Sequence, residues 1–251
     1  MKIIPLSEGS FTVDKTKLFV PFDTKKDDLK ERGGGSLLVE VQPFVVITAK
    51  DVLLLDTGLG FEKNGMLQIH RNLMDAGIKP SEVTKVFLSH LHKDHSGGIS
   101  RLNPATGQRE LAFPGADYFV QKKELEFAFQ KSFPSYITEE LTCLKEAPRV
   151  ILLDGNGVIN GYIKYEMTGA HCPYHQVCWV ADEGEKAFFG ADIAPQLQQM
   201  KNRFVAKYDY DGKKAMELRQ QWWKKGEEEN WTFLFYHDIV TPVYRMEKGL
   251  P

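Results

Sequence analysis

The chain reads as an α/β protein in which two strand-rich halves with interspersed helices pack sheet to sheet. Three observations predict this. Apolar strands alternate with helical periodicity: Asp51–Asp56 is followed by Met66, Ile69, Leu73 and Ala76 at helical spacing, and then by Val86-Phe87-Leu88. Strand patterns return after Val150. Histidines and aspartates repeatedly stand where an apolar strand ends, the usual place for ligands in α/β layers.

Residues 1–56 read mostly as strands, with Leu37–Val41, Phe44–Thr48 and Asp51–Asp56 the clearest. The charged stretch from Asp23 to Ser36, ending in three glycines, has no apolar period and reads as a mobile, solvated connector, with a flap over an active site as the alternative. Gly77 supplies a stop for the helix that carries Leu73. Tyr118–Val120 forms a short strand, and Leu125, Ala128 and Phe129 share one face of the helix after it. Phe129, Phe133 and Tyr136 are expected to pack in the core rather than to wall a site. Ile163, Tyr165 and Met167 alternate with charged residues along a half-buried strand, and Gln176–Ala181 and Lys186–Gly190 flank a turn at 182–185. A helix over Lys213–Lys225 with Gly226 as its stop precedes a last strand, Trp231–Tyr236.

Composition narrows the function. A formal charge of −2 over 251 residues gives no electrostatic hold on nucleic acid or an anionic membrane, so neither is expected as a partner. No apolar run approaches membrane-spanning length, and the N-terminus breaks off at Pro5 before a signal-peptide core forms. Cys143, Cys172 and Cys178 are odd in number and lack CxxC spacing, which argues against a disulfide framework and for a reducing cytoplasm.

The densest chemistry is Ser89-His90-Leu91-His92-Lys93-Asp94-His95-Ser96-Gly97-Gly98. Imidazole and carboxylate are ligands for a borderline metal such as zinc. In an extended segment His90 and His92 point the same way and can grip one ion together. Asp94 and His95 diverge unless the chain turns, and a second ion is a reason to keep both. The two glycines let backbone pass close to whatever the cluster holds. His171, Asp192 and His237 each follow an apolar strand, which favours a ligand role over a structural one. His175 reads as loop support, His70 as solvated on its helix, and Cys172 as a small buried filler.

His90-Leu91-His92-Lys93-Asp94-His95, then His171, Asp192 and His237, preceded by Leu53-Leu54-Leu55-Asp56-Thr57-Gly58, resembles the metallo-β-lactamase superfamily of binuclear metallohydrolases. The resemblance runs from about Val39 to His237. It implies an αββα four-layer sandwich, here one domain over residues 1–251. It implies that His90, His92 and His171 hold a first metal, that Asp94, His95 and His237 hold a second, and that Asp192 bridges both. Asp56 would orient a ligand histidine, which needs a partner for its other ring nitrogen. Two zinc ions are expected, with iron, manganese or cobalt as alternatives. Paired metals turn a shared water into hydroxide near neutral pH, and Asp94 is the expected proton relay to the leaving group.

Within the superfamily, flavo-diiron proteins carry glutamate at the position of His92. Too few residues follow His237 for the helical domain of the glyoxalase II type, the nucleases carry inserts or basic clamps, and the common zinc β-lactamases lack the Asp192-type bridge. The chain looks most like the acyl-homoserine-lactone lactonase and methyl-parathion hydrolase branch, which implies a small lactone or ester substrate and a homodimer. It departs from that branch at Pro195, where the lactonases have tyrosine, at Cys172-Pro173-Tyr174-His175, and at Lys93, which replaces a residue that is often apolar or aromatic. Tyr174 is a candidate for the missing phenol, with packing its expected role. Phosphotriester or aryl ester hydrolysis and a mononuclear-iron, persulfide-dioxygenase-like activity are the alternatives.

Overall fold

The computed structural model describes residues 1–246, so residues 247–251 of the expected single domain lie outside it. One six-stranded sheet has the order Lys2–Pro5, Phe44–Ile47, Val52–Leu55, Lys85–Phe87, Asp117–Gln121, Val150–Leu153. Its last four strands run parallel to one another, and its first three are antiparallel. The second six-stranded sheet has the order Gly157–Ile159, Ile163–Met167, Gln176–Asp182, Glu185–Phe189, Thr232–Leu234, Val243–Arg245. A three-stranded sheet of Gly9–Val13, Phe19–Pro21 and Leu37–Val41 stands beside the site.

Side-chain alternation sets the layering. On Val52–Leu55, Leu53 and Leu55 join Phe44, Phe87 and Phe119 against Ile163, Cys178, Val180 and Phe189 of the second sheet. Leu54 points the other way, with Val86 and Val120, onto Ile69, Leu73, Leu125 and Ala128 of the outer helices Gln68–Asp75 and Lys122–Lys131. Val177, Trp179, Phe188 and Phe233 turn outward from the second sheet onto Ala215 and Trp222 of helix Gly212–Glu229. The layers are therefore helix, sheet, sheet, helix, as expected. Among the described residues no helix is long and apolar enough to cross a membrane.

Several expectations need correction. Gly226 does not stop its helix: the helix runs on to Glu229 and closes at Asn230 in the left-handed conformation. Gly226 is there because a Cβ would come within 2.4 Å of the Phe233 ring, so its absence lets helix and sheet approach. The chain also adds a strand, Val243–Arg245, after Thr232–Leu234. His70 is not solvated; its Nε2 lies 3.1 Å from the Ala112 carbonyl and its ring meets Phe113 edge-on. Of the expected aromatic trio, Tyr136 is buried, Phe133 is exposed, and Phe129 packs against the core.

Gly97 and Gly98 serve a neighbouring loop. Loop 57–60 lies backbone-on-backbone against 95–98, tied by Thr57 N–H to the His95 carbonyl (2.7 Å) and Gly97 N–H to the Gly58 carbonyl (2.8 Å). A Cβ on Gly98 would stand 2.2 Å from the Thr57 carbonyl oxygen. Gly98→Ala is therefore expected to cost about 3 kcal/mol in urea unfolding, because two backbones must separate. Gly115→Ala, whose Cβ would find its nearest neighbour at 3.9 Å, is the control and should stay within about 0.5 kcal/mol.

Candidate metal centre

All seven residues singled out as ligands converge at one edge of the sandwich. His90 and His92 follow strand Lys85–Phe87, and Asp94 and His95 sit on the short helix Lys93–Ser96 that turns the chain between them. His171 follows Ile163–Met167, Asp192 lies in the turn Ala191–Ile193 after Glu185–Phe189, and His237 follows Thr232–Leu234. The side chains fall into two groups with donor atoms close enough to hold an ion: His90, His92, His171 and Asp192, and then Asp94, His95 and His237.

Hydrogen-bond partners fix which ring nitrogen faces inward. The Ser89 hydroxyl donates to Asp56 Oδ2 (2.6 Å) and so accepts from His90 Nδ1 (3.0 Å). His171 Nδ1 donates to Asp209 (2.9 Å), His95 Nδ1 to Asp56 (2.7 Å), and His237 Nδ1 to the Glu40 carbonyl (2.6 Å). Each of these four rings thus turns an Nε2 lone pair into the site. His90 Nε2 and His171 Nε2 stand 3.0 and 3.2 Å from His92 Nδ1. Asp192 Oδ2 is 3.0 Å from His171 Nε2, while Oδ1 is 3.0 Å from both His95 Nε2 and His237 Nε2. Lone pairs facing lone pairs in a buried site are reconciled by cations between them, so these residues fit a pair of metal ions.

The electrostatics agree. Burial, then the His95 and His92 imidazoles, hold His90 well below the usual histidine range, and burial and His171 do the same to His92. Burial opposes ionisation of Asp192, but His95, His171 and His237 outweigh it and keep the carboxyl well below its usual range. Burial likewise pushes His95 and His237 down, and the Asp192 and Asp94 carboxylates more than reverse it, so this half of the site attracts positive charge.

Asp56 is fully buried behind His95, with Oδ2 2.7 Å from His95 Nδ1. His175 is fully buried beside His90 (ring centroids 4.9 Å apart), and its carbonyl accepts from Thr168 N–H (2.7 Å), so it holds the 168–175 loop. Sequence reasoning missed Asp209 and Glu124. Glu124 is fully buried, accepting from Leu91 N–H (3.1 Å), Tyr136 Oη (3.2 Å) and Cys172 Sγ (3.4 Å). It ties together the segments that carry His90, His92 and His171. Cys172 is thereby a small buried residue turned away from the metal-binding groups. Tyr136 packs edge-on to His92, 4.9 Å between centroids, so one member of the aromatic trio does border the site.

Glu8, also missed, lies behind Gly58 and accepts from Leu59 N–H (2.7 Å), while its Oε1 is buried without a partner. Burial raises its pKa to about 7. The fold prefers the neutral acid, so this contribution to stability is complete below the ordinary glutamate range and is lost as pH rises through about 7. Glu8→Gln keeps the acceptor and removes the charge. It should raise stability at pH 8 by about 2 kcal/mol, a melting shift of about 4–8 °C, with the difference vanishing at about pH 4, below the ordinary glutamate range. Melting curves at the two pH values check this.

The groups open into a cavity of about 720 Å³. The strands around Val13–Phe19 and Leu37–Val39 wall one side, and Phe204, Val205 and Tyr208 the other. The stretch 23–36 forms turns and contributes Gly35 alone to the lining, so the flap alternative fails and the cover comes from the neighbouring hairpin. Tyr174 packs edge-on to Phe127 outside that lining; the phenol at the cavity is Tyr208, edge-on to His171.

Comparison with known proteins agrees with this architecture. A probable metal-dependent hydrolase from Staphylococcus aureus superposes with a TM-score of 0.77 at 20% identity, covering 99% of this chain and 93% of that one. AidC, a dizinc quorum-quenching lactonase in complex with a product, gives 0.70 at 20% identity over 96% of this chain and 88% of its own. Likeness at this level shows the fold alone. N-acyl homoserine lactonase AttM of Azorhizobium caulinodans is 43% identical over 53 residues, which is 21% of this chain and 16% of that relative. The family model of the metallo-beta-lactamase superfamily matches residues 38–237, from the strand that flanks the cavity to the last histidine of the cluster, and the chain belongs to that superfamily.

Proposed function

We propose that the chain is a binuclear zinc-dependent hydrolase of small ester-like substrates, with lactones the preferred class. The observation that carries this is Asp192, whose two carboxylate oxygens face different sets of imidazoles, Oδ2 toward His171 and Oδ1 toward His95 and His237. His90, His92 and His171 would hold one cation, Asp94, His95 and His237 the other, and Asp192 would bridge them. Paired divalent cations supply a water acidified toward neutrality and polarise a carbonyl oxygen. Asp94, on the cavity wall with Oδ2 3.6 Å from His95 Nε2 and His237 Nε2, would pass a proton to the leaving oxygen. The apolar walls exclude water from the acyl group.

Nitrogen and carboxylate donors with no thiolate suit zinc, and Cys172 Sγ is directed at Glu124. A single-iron oxidoreductase would leave the anchored His95 and His237 without a task. The three cysteines are unpaired, in keeping with a reducing cytoplasm, which belongs to this proposal together with a homodimer.

Elemental analysis of purified protein should give about two metals per chain. Exhaustive chelation should abolish turnover of a panel of lactones, aryl esters and phosphotriesters, and zinc should restore it, lactones best. Full turnover after chelation would sink the proposal.

A further inference from the structure

Four lysines face the cavity: Lys15, Lys17, Lys93 and Lys207. None of them forms an ion pair among the described residues, although the chain as a whole is acidic. Apart from Asp94 and Asp192, which face the histidines, the acid in the lining is Asp14. Thr16 donates to its Oδ1 from the N–H (2.8 Å) and the hydroxyl (2.5 Å), which keeps the carboxyl ionised beside Lys15. Lys93 is half-buried next to the metal-binding groups, its ammonium held over the Phe19 and Phe133 rings at 5.9 and 5.8 Å from their centroids. Lys17 projects from the tip of the covering hairpin, where its backbone is locked in the left-handed region (φ 61°) and its N–H donates to the Asp14 carbonyl (3.0 Å).

Like charges gathered at the mouth of a low-dielectric cleft repel one another and focus a positive field into it. Within the lining Asp14 offsets Lys15 and Asp94 partly offsets Lys93, Lys17 and Lys207 have no carboxylate partner there, and the lysines add nothing to the grip on a cation. A neutral acyl chain would be served by the apolar wall of Val13, Leu37 and Val205 alone. We propose that the substrate carries a second group besides the ester or lactone, an oxyanion of the carboxylate or phosphate class, and that Lys17 and Lys93 bind it across an apolar spacer. This rests on the hydrolase reading above and narrows its substrate to esters or lactones that carry an anionic group.

The test compares mono-p-nitrophenyl adipate with p-nitrophenyl hexanoate, matched in length and leaving group, plus the 6-phosphooxy analogue of the latter. Wild-type enzyme should favour the adipate ester by about tenfold or more in kcat/KM, chiefly through KM, and added salt should erode the preference. Lys17→Met with Lys93→Met should bring the ratio to about one, and the Lys17→Arg, Lys93→Arg pair should keep it. A phosphate preference larger than the carboxylate one assigns the oxyanion to phosphate. Equal use of charged and neutral esters by wild type, or a preference that survives the double methionine variant, overturns the proposal. Calorimetry of adipate against hexanoate on the same proteins reads the subsite without turnover. Tighter adipate binding, lost in the methionine pair, with no ester cleaved would uphold the subsite and sink the hydrolase reading. Cleavage of both esters without adipate selectivity would do the reverse.

Discussion

Asp192→Ala is expected to lower kcat/KM by on the order of 10³-fold or more, and to bring the metal content from about two ions per chain to one or none. The size follows from the position of one carboxylate. Its oxygens lie 3.0 Å from His171, His95 and His237, and 3.9 Å from His90. Removing it takes a donor from beside both groups at once and leaves His90, His92 and His171 with no anion among them. Asp94 Oδ2 approaches His95 and His237 only to 3.6 Å, so it cannot take the bridging place. Asp192→Asn keeps the shape but turns one end into an NH2 without a lone pair, so one group should keep its metal more nearly than the other. Elemental analysis of both variants, with circular dichroism to confirm the fold, checks this. Retention of two metals and of wild-type turnover in Asp192→Ala would remove the basis of the binuclear reading.

The residues that gather at the candidate site could be read from the chain because they obey a one-dimensional rule: an apolar run ends and a histidine or aspartate, or the cluster 90–95, follows. Ile163–Met167, Glu185–Phe189 and Thr232–Leu234 share one direction in their sheet, so their C-termini gather at one edge and the rule survives folding. Residues that work from behind the site obey no such rule. Asp209 lies in a loop between Ala206 and Asp211, and its role depends on that loop crossing His171, whose carbonyl accepts from Tyr210 N–H at 3.0 Å. Glu124 left a partial trace: it precedes Ala128 by one helical turn, on the face that also carries Leu125, so its helix position is buried although its side chain is charged. Gly226 misled for a related reason. A glycine near a helix end reads as a stop, and only the nearness of Phe233 shows that it is a contact. The cavity cover was missed because Val13–Phe19 looks like any polar hairpin until it is folded over the site.

The second large effect is expected at Asp56. Its side chain accepts three hydrogen bonds in a pocket closed to solvent: Ser89 N–H to Oδ1 at 2.7 Å, and the Ser89 hydroxyl and His95 Nδ1 to Oδ2 at 2.6 and 2.7 Å. Its own backbone is in the left-handed region (φ 57°), tolerated better by aspartate than by most residues. In Asp56→Ala these donors lose their acceptor together, at a cost of about 3–5 kcal/mol of stability. The His95 ring would then be free to change tautomer and orientation. Affinity for zinc in the Asp94, His95 and His237 group should fall about 10–100-fold, while the His90, His92 and His171 group should be less affected, because Asp209 anchors His171 independently and His90 depends on Asp56 only at one remove, through Ser89. Competition with a chromophoric chelator resolves the two affinities and urea unfolding gives the stability. If both affinities fell together in proportion to the lost stability, Asp56 would be acting through the core at large. A selective loss at one ion, larger than the change in stability accounts for, is what a carboxylate that fixes one imidazole must produce.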